Sequence, residues 1–175
     1  SIPNDNDMKN GFFYIAFLCM VSVFSGCSEQ ERTGSLGETE LYFNERLSSI
    51  SADGDSAFWI GSEAGDIWYM KQRSFQSYNI GADRIYKVVT DSVLADGKLC
   101  WVGIRNSGLQ KWKLNEEETS LEEICAIPNK GTNYSVYDIL FVGKSLYVAT
   151  SQGLYTMPRS GEKELKLVYP SEDSE

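Results

Sequence analysis

One sentence of residues, stated three times, constrains this chain more than any other feature. FWIGSEAGDIWY (Phe58 to Tyr69), CWVGIRNSGLQKW (Cys100 to Trp112) and LYVATSQGLY (Leu146 to Tyr155) share one grammar. Each has an aromatic in an apolar run, a small residue two places on, a turn with glycine, and a second apolar run. Anchored on Trp59, Trp101 and Tyr147, the copies stand 42 and 46 residues apart. Ahead of each lies a run of alternating or β-branched character, at 47 to 51, 85 to 94 and 134 to 142. Between run and anchor falls a hairpin signal: Asp53-Gly54, Asp96-Gly97, and the looser Val142-Gly143-Lys144. Asp-Gly suits such a turn because both central residues of a type I′ turn need positive φ. Behind each copy comes another short apolar run: Phe75 to Ile80, Leu121 to Ile127, Leu165 to Tyr169. Lys166 to Tyr169 also reads as the opening strand of a fourth unit. No segment has apolar spacing of 3.6 with caps and sufficient length for a helix. The Glu116-Glu117-Glu118 run reads as a solvated hairpin loop.

Four short antiparallel strands repeating every 40–45 residues or so are the signature of a β-propeller blade. A lone four-stranded sheet with two apolar faces cannot bury both, and stacking blades side by side does. The expected fold is therefore all-β, with about three four-stranded antiparallel blades of an incomplete propeller. Strand side chains alternate between faces, so a matched register puts Trp59, Trp101 and Tyr147 on the same face of their blades. All three are expected to be buried. Truncating Trp59 is expected to cost less than truncating Trp101, because the first blade lacks a preceding neighbour.

The quoted stretches also resemble the two-component regulator propeller repeat. Its typical form is an Asp-Gly turn, then Leu-Trp-Ile-Gly-Thr, a Gly-Leu turn and an aromatic strand. The resemblance spans about residues 45 to 170. Copies two and three keep Gly108-Leu109 and Gly153-Leu154, while the first has Gly65-Asp66-Ile67. The resemblance implies the extracytoplasmic sensor of a histidine-kinase regulator, a type common in gut Bacteroidetes, where many respond to glycan fragments. The expectation is a ligand-sensing module, probing for a glycan-derived or other small ligand, with further blades and a kinase elsewhere in a longer chain. Propellers use roughly four to eight blades, so three read as the N-terminal part of such a protein. The alternative is a free-standing cell-surface lipoprotein propeller that binds glycan or protein without signalling. A propeller enzyme ranks last, since paired carboxylates would have to come from separate blades; no catalytic activity is expected.

The start of the chain reads as an address. Met8-Lys9-Asn10 precedes a mostly apolar run from Gly11 to Phe24, followed by Ser25-Gly26-Cys27. A positive start, an apolar core and small residues make a secretory signal. The run is shorter than the roughly 20 apolar residues of a membrane span. Val23-Phe24-Ser25-Gly26-Cys27 resembles a bacterial lipobox, with Phe24 where leucine is usual, which implies lipid on Cys27. Residues 1 to 7 read as lying upstream of the true start. Residues 28 to 40, nearly free of apolar side chains, read as a flexible tether, and their acidic Ser28-Glu29-Gln30-Glu31 resembles surface-export signals. The organisation is thus 1 to 27 signal, 28 to 40 tether, 41 to 175 partial propeller. The protein is expected to be exported and membrane-anchored, at the periplasmic face or the cell surface.

Composition narrows the chemistry. The chain has 175 residues, no histidine and a formal charge of −9. That length suits one domain, the acidity argues against nucleic acid, and a His-Asp triad is excluded. No metal or cofactor is expected. Asp53-Gly54-Asp55 lacks the spaced ligands of a calcium loop and reads as a hairpin. Cys100 and Cys125 could pair in an oxidising compartment, but each reads better as a small buried apolar residue. Trp59 and Trp101 read as blade core; Trp68 and Trp112, near strand ends, have more access to the surface. Arg105 and Asn106 lie in a loop, where binding residues usually sit, yet no ligand contact is assigned from sequence.

Overall fold

The computed structural model describes residues 33–35, 43–72, 74–160 and 164–169. The signal and Cys27 lie outside the described residues. Among the described residues thirteen strands are formed: β1 (Thr33–Ser35), β2 (Leu47–Ala52), β3 (Ala57–Ser62), β4 (Asp66–Lys71), β5 (Ser74–Asn79), β6 (Ile85–Leu94), β7 (Gly97–Ile104), β8 (Gly108–Leu114), β9 (Ser120–Cys125), β10 (Val136–Val142), β11 (Ser145–Thr150), β12 (Gly153–Pro158) and β13 (Lys166–Tyr169). There is no helix among the described residues.

Three sheets result, each a meander of four sequential antiparallel strands: β2 to β5, β6 to β9, and β10 to β13. These are the three expected blades. β1 adds to the outer edge of the first through β5. Thr33–Ser35, inside the stretch expected as a tether, is thus paired as a short strand, and the rest of residues 28 to 40 lies outside the described residues. An outer strand offers unpaired N–H and C=O groups, and even a polar segment can satisfy them. β13 pairs with β12 and closes the third blade; it does not open a fourth.

The hairpins form where expected but not as type I′ Asp-Gly turns, since neither Asp53 nor Asp96 takes positive φ. The β2–β3 turn closes with the Asp53 amide donating to the Ala57 carbonyl at 2.8 Å, and Gly54 takes φ of 75°. Leu94 pairs with Gly97, which leaves Ala95 and Asp96 as a two-residue loop. Gly143 and Lys144 do the same between Val142 and Ser145.

The first strands of consecutive blades meet: β2 packs on β6, and β6 on β10. The blades thus converge at their first strands and fan outward. Two cores lie between them. Trp59, Ile67, Tyr69 and Tyr78 of the first blade face Ile85, Val88, Cys100, Val102, Ile104 and Leu114 of the second. Trp101, Leu109 and Cys125 face Val136, Ile139, Leu146, Val148, Tyr155, Met157 and Leu165. Each aromatic anchor therefore faces the blade that follows it. Trp59 and Trp101 are both 1 % exposed, so the expected difference between them disappears. Tyr147 holds the matching register but points away from blade two and is only partly buried. Cys100 and Cys125 are buried on opposite faces of the second blade, and neither forms a disulfide.

Glycine is required where blades approach most closely. A Cβ on Gly61 would stand 2.6 Å from Ile85 Cγ2, and one on Gly103 would stand 2.7 Å from Val136 Cγ1. The first residue of each incoming inner strand thus plugs into a gap left by the preceding blade.

Candidate ligand-binding site at the inner rim

The inner strands share an irregularity. Register shifts fall between Leu47 and Ser49, Ile85 and Lys87, and Val136 and Asp138. Their partners Gly61, Gly103 and Ala149 are the matched small residues of the repeat. Each blade therefore carries one bulged residue at the same place: Ser48, Tyr86 and Tyr137. A bulge leaves its extra residue outside the ladder and re-aims the side chain, often next to functional sites.

Ser48 turns back and its hydroxyl donates to the Ile85 carbonyl at 2.5 Å. The two tyrosines meet instead. Their ring centroids lie 5.4 Å apart at 64°, an edge-to-face pair, and Tyr137 is exposed. The Arg84 guanidinium stands 6.0 Å from the Tyr86 ring. Beside the rings, Lys87 of one blade pairs with Asp138 of the next at 2.9 Å.

Turns at the same end hold this rim. The amides of Glu63, Arg105 and Ser151 donate to the carbonyls of Arg46, Arg84 and Ser135, once in each blade. Glu63 binds Arg84 at 2.6 Å and Arg46 at 3.6 Å. Arg105 binds Asp83 at 2.9 Å. The hydrogen bond from Arg105, then that from the Arg84 amide, holds the Asp83 carboxyl below its ordinary range. Asn106 takes φ of 55°, and its amide donates to Ser135 Oγ at 3.1 Å. Beneath, the buried Tyr134 hydroxyl donates to the Cys125 carbonyl at 2.7 Å and accepts from the Leu109 amide. Burial pushes that phenol's pKa up.

The rim thus offers two aromatic rings flanked by ion pairs. A ligand with a flat or CH-bearing face can stack on the rings while its polar groups reach Lys87, Asp138 or Arg84. Arg105 and Asn106 lie at this rim, in agreement with their loop position. Trp68 lies under the Phe43 ring at 4.9 Å. Trp112 packs on the first core and its indole N–H donates to Gln110 Oε1. Asp53, in its hairpin, pairs with Lys98, which sits 4.4 Å over the Tyr69 ring. Tyr86 and Tyr137 escaped sequence reasoning. Ile85 and Val88 share one face, as do Val136 and Ile139, three residues apart where an unbroken strand requires an even step, but that sharing is readable only once the packing is known.

Among solved structures, the chain is similar to the extracellular domain of BT3049 of B. thetaiotaomicron, described as a hybrid two-component system. The match has a TM-score of 0.56 and 17 % identity, and covers 82 % of this chain. The likeness is one of fold. The chain spans 19 % of the length of that structure. No protein-family model and no curated protein matches the sequence.

Proposed function

We propose that this chain is the ligand-sensing propeller part of an extracytoplasmic two-component sensor, and that it recognises a glycan-derived or other small ligand at the inner rim. The observation that carries the reading is the Tyr86–Tyr137 pair, presented by equivalent bulges of adjacent blades on a fold shared with a two-component extracellular domain. The resemblance of the repeats to the regulator propeller supports it. In this reading the protein is exported and anchored through lipid on Cys27. It has no catalytic role, and it passes its signal to a kinase part of a longer chain. Because the rings belong to two blades, a ligand bridging them favours one blade–blade arrangement over others. Only such differential binding transmits a signal.

Calorimetric titration with a panel of oligosaccharides tests the reading. One ligand should bind, and Tyr86→Ala and Tyr137→Ala should each weaken it about 2- to 10-fold, the worth of one aromatic contact. A ligand that binds the parent and both variants equally would place recognition elsewhere.

A further inference from the structure

Of the three inner strands, β6 alone carries a second register shift, between Thr90 and Ser92, which leaves Asp91 outside the ladder. A bulge gives up a rung of pairing and re-aims one side chain. Asp91 is aimed into the junction of the second and third blades. Its Oδ2 lies 2.6 Å from the Lys111 ammonium, and its Oδ1 lies 3.3 Å from the Arg159 guanidinium. The same Arg159 nitrogen donates to the Asp91 carbonyl at 3.2 Å, and the guanidinium stands 4.0 Å from the centre of the Phe141 ring. The Arg159 amide donates to the carbonyl of Lys144, in the hairpin at the end of the third blade away from Tyr137. Arg159 of the third blade thus grips both the side chain and the backbone of the second blade's bulge. The side chains of Asp91 and Lys111 are 13 % and 11 % exposed, against 62 % and 26 % for Asp138 and Lys87 beside the rim tyrosines.

We infer that Asp91 and Arg159 are positioning residues for the rim: they fix the angle between the second and third blades and so hold Tyr86 and Tyr137 together at the far end of the same strands. The apolar core between these blades attracts without direction. A charged hydrogen bond to two acceptors of one residue does have direction. Shielded from water, it also holds more firmly than the exposed Lys87–Asp138 pair, which salt screens. Asp91 lies five residues from Tyr86 on β6, and Phe141 four from Tyr137 on β10. At roughly 3.3 Å per residue the span is about 15 Å, and a swing of about 10° over it moves a ring by roughly 3 Å. That takes the pair from 5.4 Å past the roughly 7 Å at which aromatic rings cease to interact. The inference rests on the rim reading for its meaning in binding, but the arrangement of the rings is measured without a ligand.

Photo-oxidation with a ruthenium tris-bipyridyl sensitiser and persulfate joins adjacent tyrosine rings as dityrosine, and mass spectrometry of the digest measures the link between Tyr86 and Tyr137. The parent should form it, and Tyr137→Phe should not. Arg159→Met keeps an unbranched chain over Phe141 but loses the grip on Asp91. It should lower the yield on the order of threefold or more, because coupling depends steeply on how the rings are held, while circular dichroism stays unchanged. Arg159→Lys keeps the charge without the flat guanidinium and should fall between the two, which preserves the test if the methionine variant unfolds. Lys98→Met breaks the ion pair of the other junction, Asp53 with Lys98, and should leave the yield at the parent's level. An unchanged yield in both Arg159 variants would overturn the inference. So would an equal loss in Lys98→Met, the mark of general loosening. Once calorimetry has identified a ligand, Arg159→Met should weaken it from the far end of the blade. A ligand indifferent to both tyrosines would sink the rim reading and leave the cross-linking result standing.

Discussion

Replacing Trp101 by alanine removes an indole enclosed by two blades. The ring contacts the third-blade core and lies 5.0 Å from the Lys111 ammonium. Loss of a fully buried Trp costs about 3–5 kcal/mol in transfer energy and residual cavity. Trp59 is enclosed to the same degree by the second blade, its ring lies 4.5 Å from that of Tyr69 at a tilt of 47°, and its indole N–H donates to Thr90 Oγ1 at 3.0 Å. Trp59→Ala should therefore cost as much as Trp101→Ala. Tyr147 has the same register but no blade over it, and Tyr147→Ala should cost about 1 kcal/mol or less. Urea titrations followed by far-ultraviolet circular dichroism measure the series; midpoints should fall with little change in slope. In thermal melts each Trp variant should lose roughly 10 °C, at about 2–4 °C per kcal/mol for a domain of this size. A Trp59→Ala cost well below that of Trp101→Ala, or a Tyr147→Ala cost equal to either, would refute the forward-facing arrangement of the anchors.

Gly103→Ala should destabilise by about 1–3 kcal/mol through overpacking, because its methyl would meet Val136 Cγ1 at 2.7 Å. Adding Val136→Ala should remove most of that increment, and strict additivity in the double-mutant cycle would count against the plug. Alkali should unfold the protein. Burial pushes the Tyr78 phenol and the Cys100 thiol each up to about 12, while in the unfolded chain they ionise near 10 and about 8.5. The unfolded state then holds fewer protons, so stability is full below about pH 8.5 and falls as pH rises toward 12; a urea midpoint that stays flat from about pH 8 to 11 would contradict this. Lipid on Cys27 predicts palmitate labelling of the chain expressed from Met8 in a Gram-negative host, abolished by Cys27→Ala; equal labelling of the variant would exclude the lipobox.

The sequence alone determined the strands, their grouping in fours and their shared register. Period-two patterns and Gly-containing turns are local, and Trp59, Trp101 and Tyr147 carry matched neighbours that any reader of the chain can align. It also placed Cys100 and Cys125 as buried apolar residues. Only the tertiary structure decided which neighbour each blade face meets. Alternation gives two faces but not their direction around the axis, and for that reason Trp59 is enclosed and Tyr147 is not. The candidate site was hidden for a related reason. A bulge is one residue left without a cross-strand partner, a property of a pair of strands rather than of either one. Tyr86 and Tyr137 lie 51 residues apart in sequence, and their rings meet because two such bulges fall at the same height on inner strands that the packing of blades brings together.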